Sequence, residues 1–378
     1  MSATGLLKEL PMLPDFLLAR RQGPFQDKVL LVRLDAIGDY VLFRNFIPLI
    51  SRHYGLKMAL CGNSAWRSLA ESFDAGLVEN FIWVDRNRMA GDPGYRKSRL
   101  AEITSKGYRA LVHPTFSRDL LADFIVRAVG AKEKTGSVGD ATNTGAFKKW
   151  LTDSFYSRLL PASGKVLFEF YRNREFVEAL TGKKAGLKKP TLDVSKIRFS
   201  SGAEKGKFVV LFPGATDAMR RWSPQKFAKL ATRMGKRHGL GIVVAGSAGD
   251  AALARQVSEG APGARVIDAT GKTSLPELAR LIHDSALLVS NDTSAVHLAA
   301  AVGTKVACIS NRNYPGRFVP YPRDVFNGMR TVYPGGRIAD AREFAGLPVG
   351  DCKRSFLDVN AITVEQVEAA VESLLSAR

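Results

Sequence analysis

The chain is poor in cysteine and lacks most of the short signatures that mark hydrolases, metalloenzymes and nucleotide hydrolases. Its three cysteines, Cys61, Cys308 and Cys352, are odd in number, far apart and form no CxxC. That argues against a disulfide or zinc framework and fits a reducing compartment. No run of about 18 apolar residues occurs, so neither a membrane span nor export is expected. GxSxG and HExxH are missing, and so is any Asp-x-Asp, a common metal-chelating pair. The first strand–helix turn, Asp35–Asp39, has no GxGxxG, which removes the dinucleotide fingerprint from the place it should occupy. Gly271-Lys272-Thr273 imitates the end of a phosphate-binding P-loop, but position 266, where that motif needs its leading glycine, is Val.

What is present is a long, basic, globular chain. Its 378 residues fit two domains of about 150–200 residues each. The net charge of +19 favours anionic partners, and between Lys132 and Lys207 there are 16 Lys/Arg against 8 Asp/Glu. Nucleic acid is not the expected partner, since no aromatic strand platform or recognition helix accompanies the charge. The opening segment Leu6–Arg21 is apolar but interrupted by two prolines. It is expected to pack on the first domain rather than to anchor the chain in a membrane.

Apolar runs alternate with helical periodicity along most of the chain. Lys28–Leu34 reads as a central parallel strand, and the loop to Asp39 leads into a helix over Tyr40–Tyr54. Alternation continues to Val129, loosens between Gly139 and Ser201, and resumes with strand Phe208–Phe212 and helix Pro224–His238. The expected architecture is α/β, with two Rossmann-like parallel-sheet domains facing across a cleft, 1–190 and 191–361. A terminal helix, 362–378, is expected to pack back on the first.

Four junctions carry candidate chemistry. Asp39 falls at a helix start, where the dipole keeps a carboxylate ionised and fit to accept a proton, with Asp35 in the same loop. Phe212–Pro224 (FPGATDAMRRWSP) places Thr216 and paired arginines before a helix, groups suited to a diphosphate. Gly246–Asp250 is a glycine turn with an acid able to reach ribose hydroxyls. Ser290–Ala301 (SNDTSAVHLAAA) runs from strand to helix through Asp292, Thr293 and Ser294, with His297 one turn on. A strand, a polar turn and a helix N-terminus together present N–H groups to an anion. Each junction alone also reads as ordinary helix capping.

Together, VRLDAIGD (32–39), FPGAT…RRWSP (212–224), GKTSLPELARLI (271–282) and SNDTSAVHLAAAVGT (290–304) resemble the heptosyltransferases of glycosyltransferase family 9. The resemblance implies a GT-B fold and inverting, metal-independent transfer of a heptose from an ADP-activated donor to a lipid-linked saccharide, without a cofactor. It implies that Asp39 is the catalytic base. Thr216 and Arg220 then contact the donor phosphates, Asp292, Thr293, Ser294 and His297 form the second donor signature, and Asp250 is a looser ribose match. The family's usual Gly is Ser294 here, and its frequent Ser is Asp35. Arg118, Lys148 and Lys149, with Asp35, are candidates from charge for an anionic acceptor. A cytoplasmic protein touching the inner face of a membrane peripherally is expected. A binding protein of the same fold that holds a sugar nucleotide or anionic glycolipid without turnover is the alternative.

Overall fold

The structure, a computed structural model, describes residues 13–19 and 24–376. Much of the Leu6–Arg21 segment lies outside these residues. Its described helix α1 (Leu13–Leu18) buries Phe16 against Phe124, ring centroids 5.6 Å apart, so this piece does pack on the first domain. Two compact units divide the chain, one from 1–163 and 170–187, the other from 164–169 and 188–378. The six-residue excursion Gly164–Glu169 joins the second unit through Val166 N–H to the Leu347 carbonyl (2.6 Å) and the Arg317–Glu169 ion pair (2.9 Å).

Unit 1 is a six-stranded parallel sheet ordered β3-β2-β1-β4-β5-β6. β1 (Phe25–Arg33) is buried over its last five residues and leads into α2 (Ile37–Phe43). The single helix expected to Tyr54 is instead two. A 3-10 turn at Arg44–Phe46 separates α2 from α3 (Ile47–Tyr54), whose first turn holds Pro48, a residue without an N–H to continue a helix. β2 (Lys57–Asn63), α4 (Arg67–Phe73), β3 (Val78–Val84), α5 (Arg86–Gly91), α6 (Pro93–Thr104), β4 (Gly107–His113) and α7 (Leu120–Ala128) follow the expected alternation. β5 (Gly130–Ser137), α8 (Ala146–Asp153) and β6 (Arg158–Leu160) were not expected. The β5 sequence GAKEKTGS is polar, and only its last three residues are buried, so apolar patterning does not reveal it. α9 (Glu169–Thr181) closes the unit.

Unit 2 winds the same way, in the order β13-β12-β11-β10-β7-β8-β9. Its elements are β7 (Phe208–Phe212), α10 (Pro224–His238), β8 (Gly241–Val244), α11 (Ala251–Glu259), β9 (Val266–Asp268), α12 (Leu275–Asp284), β10 (Leu287–Asn291), α13 (Ser294–Val302), β11 (Val306–Ile309) and β12 (Met329–Val332). The two-residue β13 (Ile338–Ala339) caps the edge antiparallel. α14 (Val364–Ser376) does not return to unit 1. It buries Val364, Val367, Ala370, Val371 and Leu374 in the core of unit 2. Arg233, Arg237 and His238 of α10 pair with its Glu365, Glu368 and Glu372, and these partners hold it there.

In each unit the first strand lies beside the fourth, β1 beside β4 and β7 beside β10. In doubly wound sheets the crossovers diverge at such a reversal, which is where a ligand crevice is expected beyond the carboxyl ends of the two strands. Asp35 and Asp39 follow β1, Arg118 follows β4, Thr216 and Arg220 follow β7, and Asp292 to His297 follow β10, whereas Asp250 follows β8 and Lys148 and Lys149 stand on α8.

Candidate active site

In unit 1 the loop after β1 is built on Arg33. Its guanidinium is fully buried, pairs with Asp35 at 2.8 Å, donates to Asn173 Oδ1 at 3.3 Å and to the Asp39 carbonyl at 3.4 Å, and lies over the Phe43 ring at 4.1 Å. The Asp35 carbonyl accepts from Trp66 Nε1 and Asn63 Nδ2, both at 3.1 Å. Trp66 in turn stacks on Tyr40, centroids 4.0 Å apart. Asp39 is not the N-cap: Ala36 holds that position without a side-chain bond, and Asp39 sits half-buried in the first turn of α2. A carboxylate there is stabilised by the helix dipole while its loop is held from beneath. Asp35, engaged by Arg33, serves the loop's shape.

In unit 2 three loops meet at the β7–β10 reversal. Asn291, the last residue of β10, donates to the Pro213 carbonyl at 2.7 Å and accepts from Trp222 N–H at 3.1 Å, which ties the two loops together. Arg220 Nη1 donates to the Asp292 carbonyl at 3.2 Å, while its Nε is buried without a hydrogen-bond partner. A buried guanidinium N–H left unpaired beside a helix N-terminus is a donor awaiting an anion. Thr216 is exposed on the same turn. The third loop enters through Asp250, whose carboxylate takes Ser247 N–H and Oγ at 2.8 and 2.7 Å. A Cβ on Gly214 would fall 2.5 Å from that carboxylate, so a side chain there would push Asp250 off its bonds to Ser247.

The α13 signature is more inward than its sequence implies. Thr293 is the N-cap, its Oγ1 accepting from Ala295 N–H at 3.3 Å. The Asp292 side chain is buried, takes Ser310 Oγ at 3.2 Å and has its pKa raised by burial against the pull of Arg220. His297 is 4% exposed, its Nδ1 bonds Tyr321 Oη at 2.8 Å, and burial lowers its pKa to about 4. It is therefore a neutral core histidine, packed against Phe318 and Tyr321. Ser294, half-buried, opens the helix without a positive φ, so glycine is not required there for the backbone.

The cations assigned to an acceptor behave differently. Arg118 is 1% exposed, pairs with Asp153, stands 3.9 Å from Asp123 and lies over the Tyr156 ring. It is an interior cation rather than a surface one, and its Nε and Nη1 are buried without a hydrogen-bond partner. Lys149 pairs with the same Asp153 at 2.8 Å, and Lys148 is half-buried beside it.

The model of the family described as glycosyltransferase family 9 (heptosyltransferase) matches residues 119–331, more than half of the chain. The protein belongs to that family. The glycosyltransferase is 24% identical over 348 residues to lipopolysaccharide heptosyltransferase 3 of Escherichia coli K12, covering 90% of each chain. Its fold is similar to that of E. coli heptosyltransferase WaaC solved with ADP-2-deoxy-2-fluoro heptose, with a TM-score of 0.68 at 18% identity over 92% of this chain and 99% of that one. A family 9 glycosyl transferase from Veillonella parvula gives 0.69 at 17% identity, covering 94% and 99%. The two Rossmann-like sheets are those of the GT-B class.

Sequence reading missed several residues of this glycosyltransferase. Arg33, Asn291, Ser310 and Asn311 shape the two loops, Asn311 by donating to the Met219 carbonyl at 3.4 Å. A signal was present for the last three: β10 ends in Ser290-Asn291, and Ser310-Asn311 follows β11, so the same dipeptide stands at the ends of neighbouring strands. Arg33 is the one charge inside the run KVLLVRL after its first residue.

Proposed function

We propose that the enzyme moves a heptose, or a related sugar, from an ADP-activated donor to a lipopolysaccharide-core or other lipid-linked saccharide, inverting the anomeric centre and using neither metal nor cofactor. The observation that carries this reading is the unpaired Arg220 Nε beside the N-terminus of α13 at the β7–β10 crevice. There a leaving diphosphate would find a guanidinium, the Thr216 hydroxyl and helix N–H groups in place of a cation. An acceptor hydroxyl attacks the anomeric carbon as Asp39 takes its proton. The new C–O bond forms, the bond to the diphosphate breaks, and ADP leaves with the electron pair.

The relatives' names support the substrate class, one naming lipopolysaccharide and one an ADP-heptose analogue. Among the described residues no helix is long and apolar enough to cross a membrane. A cytoplasmic enzyme reaching a lipid-borne acceptor from the membrane surface is the reading that fits. The test is a thermal-shift panel followed by an assay. ADP-heptose and ADP should raise the melting temperature and UDP- or GDP-sugars should not. Activity should survive EDTA; loss on chelation with recovery on adding a divalent ion would refute the metal-free mechanism.

A further inference from the structure

α8 faces the wrong way for a soluble helix. Phe147, Trp150 and Leu151 are 74%, 71% and 47% exposed, and Ser154 just beyond the helix is exposed as well. Spaced i, i+3, i+4 and i+7, they form one stripe, with the Phe147 and Trp150 rings 6.0 Å apart. The opposite side is polar and turned inward: Thr152 is buried, and Lys149 and Asp153 form an ion pair that also engages Arg118. These pairs fix the orientation, because rolling α8 to bury its aromatics would take the Asp153 carboxylate away from Arg118 and leave only the more distant Asp123.

We infer that the α8 stripe inserts into the surface of an anionic lipid bilayer. Three observations select this occupant. The stripe is aromatic and aliphatic on a helix whose other side is polar, the composition of an element lying in the plane of a headgroup region. Unit 1, which carries it, holds 27 Lys and Arg against 18 Asp and Glu, so its field complements an anionic surface. An eight-residue helix is only about 12 Å long, enough to lie at the interface and too short to cross it. Attachment in this way would bring the enzyme to lipid-borne molecules, and it stands on α8 whether or not the donor is ADP-heptose.

The experiment uses the full chain with no donor or acceptor, so its outcome is independent of the transfer reaction. Wild type is mixed with vesicles of phosphatidylcholine alone or with a third phosphatidylglycerol, and binding is read by co-sedimentation and Trp emission. Of the other three tryptophans Trp66 and Trp222 are fully buried, and Trp83 is half-buried with its Nε1 donating to Glu71, so Trp150, at 71% exposure, is the responsive reporter. Binding to the anionic vesicles with a blue shift is expected. Phe147→Ser/Trp150→Ser/Leu151→Ser should weaken it on the order of tenfold or more with an unchanged melting temperature. Trp150→Phe should abolish the blue shift and keep the binding. Equal binding by the triple variant, or no binding to either vesicle, overturns the inference. So does a concentration-dependent dimer that the triple variant abolishes in the absence of vesicle binding, which would assign the stripe to a second copy of the chain.

Discussion

Arg33 and Asp35, two residues apart, form a 2.8 Å ion pair at the end of β1, and the same guanidinium reaches the carbonyl of Asp39. One carboxylate is thereby committed to structure, and the other is left in the first turn of α2. The pair gives opposite expectations for the two acids. Asp39→Asn should lower kcat by about 10²–10⁴-fold while ADP still binds. Asp35→Asn should instead cost about 3 kcal/mol of stability, because Arg33 is left buried and unpaired. Steady-state kinetics alongside thermal unfolding separates the two. A greater loss of kcat for Asp35→Asn would exchange their roles.

Arg220 should matter for the nucleotide more than for the fold. Arg220→Ala is expected to weaken ADP binding on the order of tenfold to a hundredfold, with little change in melting temperature. Arg220→Lys should recover only part, since a point charge replaces a planar fork. Calorimetric titration with ADP reads this directly, and unaltered affinity in Arg220→Ala would count against the proposed cradle.

Gly214 and Asp250 should be coupled. The Cβ introduced by Gly214→Ala would press on the Asp250 carboxylate, lowering both stability and donor affinity. Asp250→Ala removes the atoms it strikes, so the double variant should be more stable than the sum of the single effects allows. Strict additivity across the cycle would show that the close approach is relieved elsewhere.

His297 and His113 should make folding sensitive to mild acid. Burial lowers their pKa values to about 4 and about 3, below the unfolded value near 6.5. In this window the unfolded chain binds more protons, so stability is present above about pH 6.5 and is lost as pH falls towards 4. Each histidine contributes a slope of at most about 1.4 kcal/mol per pH unit. The raised carboxyl of Asp292 acts in the opposite sense. Comparing wild type with His297→Asn isolates the histidine: the variant's unfolding midpoint should depend less on pH between 6.5 and 4. An unchanged slope would show that His297 is not held neutral in the native state.

The local alternation of the chain was legible from residues alone. β7 and α10 occupy the ranges expected for them, because a buried parallel strand needs a continuous apolar run and a helix beside it needs a 3.6-residue stripe. The strand–turn–helix junctions were equally visible, since glycine, proline and capping residues act within a few positions of themselves. β5 and α8 were not, as the one is polar and the other is recognisable only by what its neighbours leave uncovered.

Residue order along the chain was enough to specify two α/β parallel-sheet domains and the loops on which Asp39, Arg220 and Asp292 stand, while strand order came from the fold. Which charges those loops keep available follows from long-range packing. Arg118 turned inward to Asp153, His297 was sealed against Tyr321, α14 docked on unit 2, and Arg33 came to lie beneath the Asp39 loop. The reason is that secondary structure follows from neighbours along the chain. The ionisation and direction of a polar side chain depend instead on partners that only folding brings within reach.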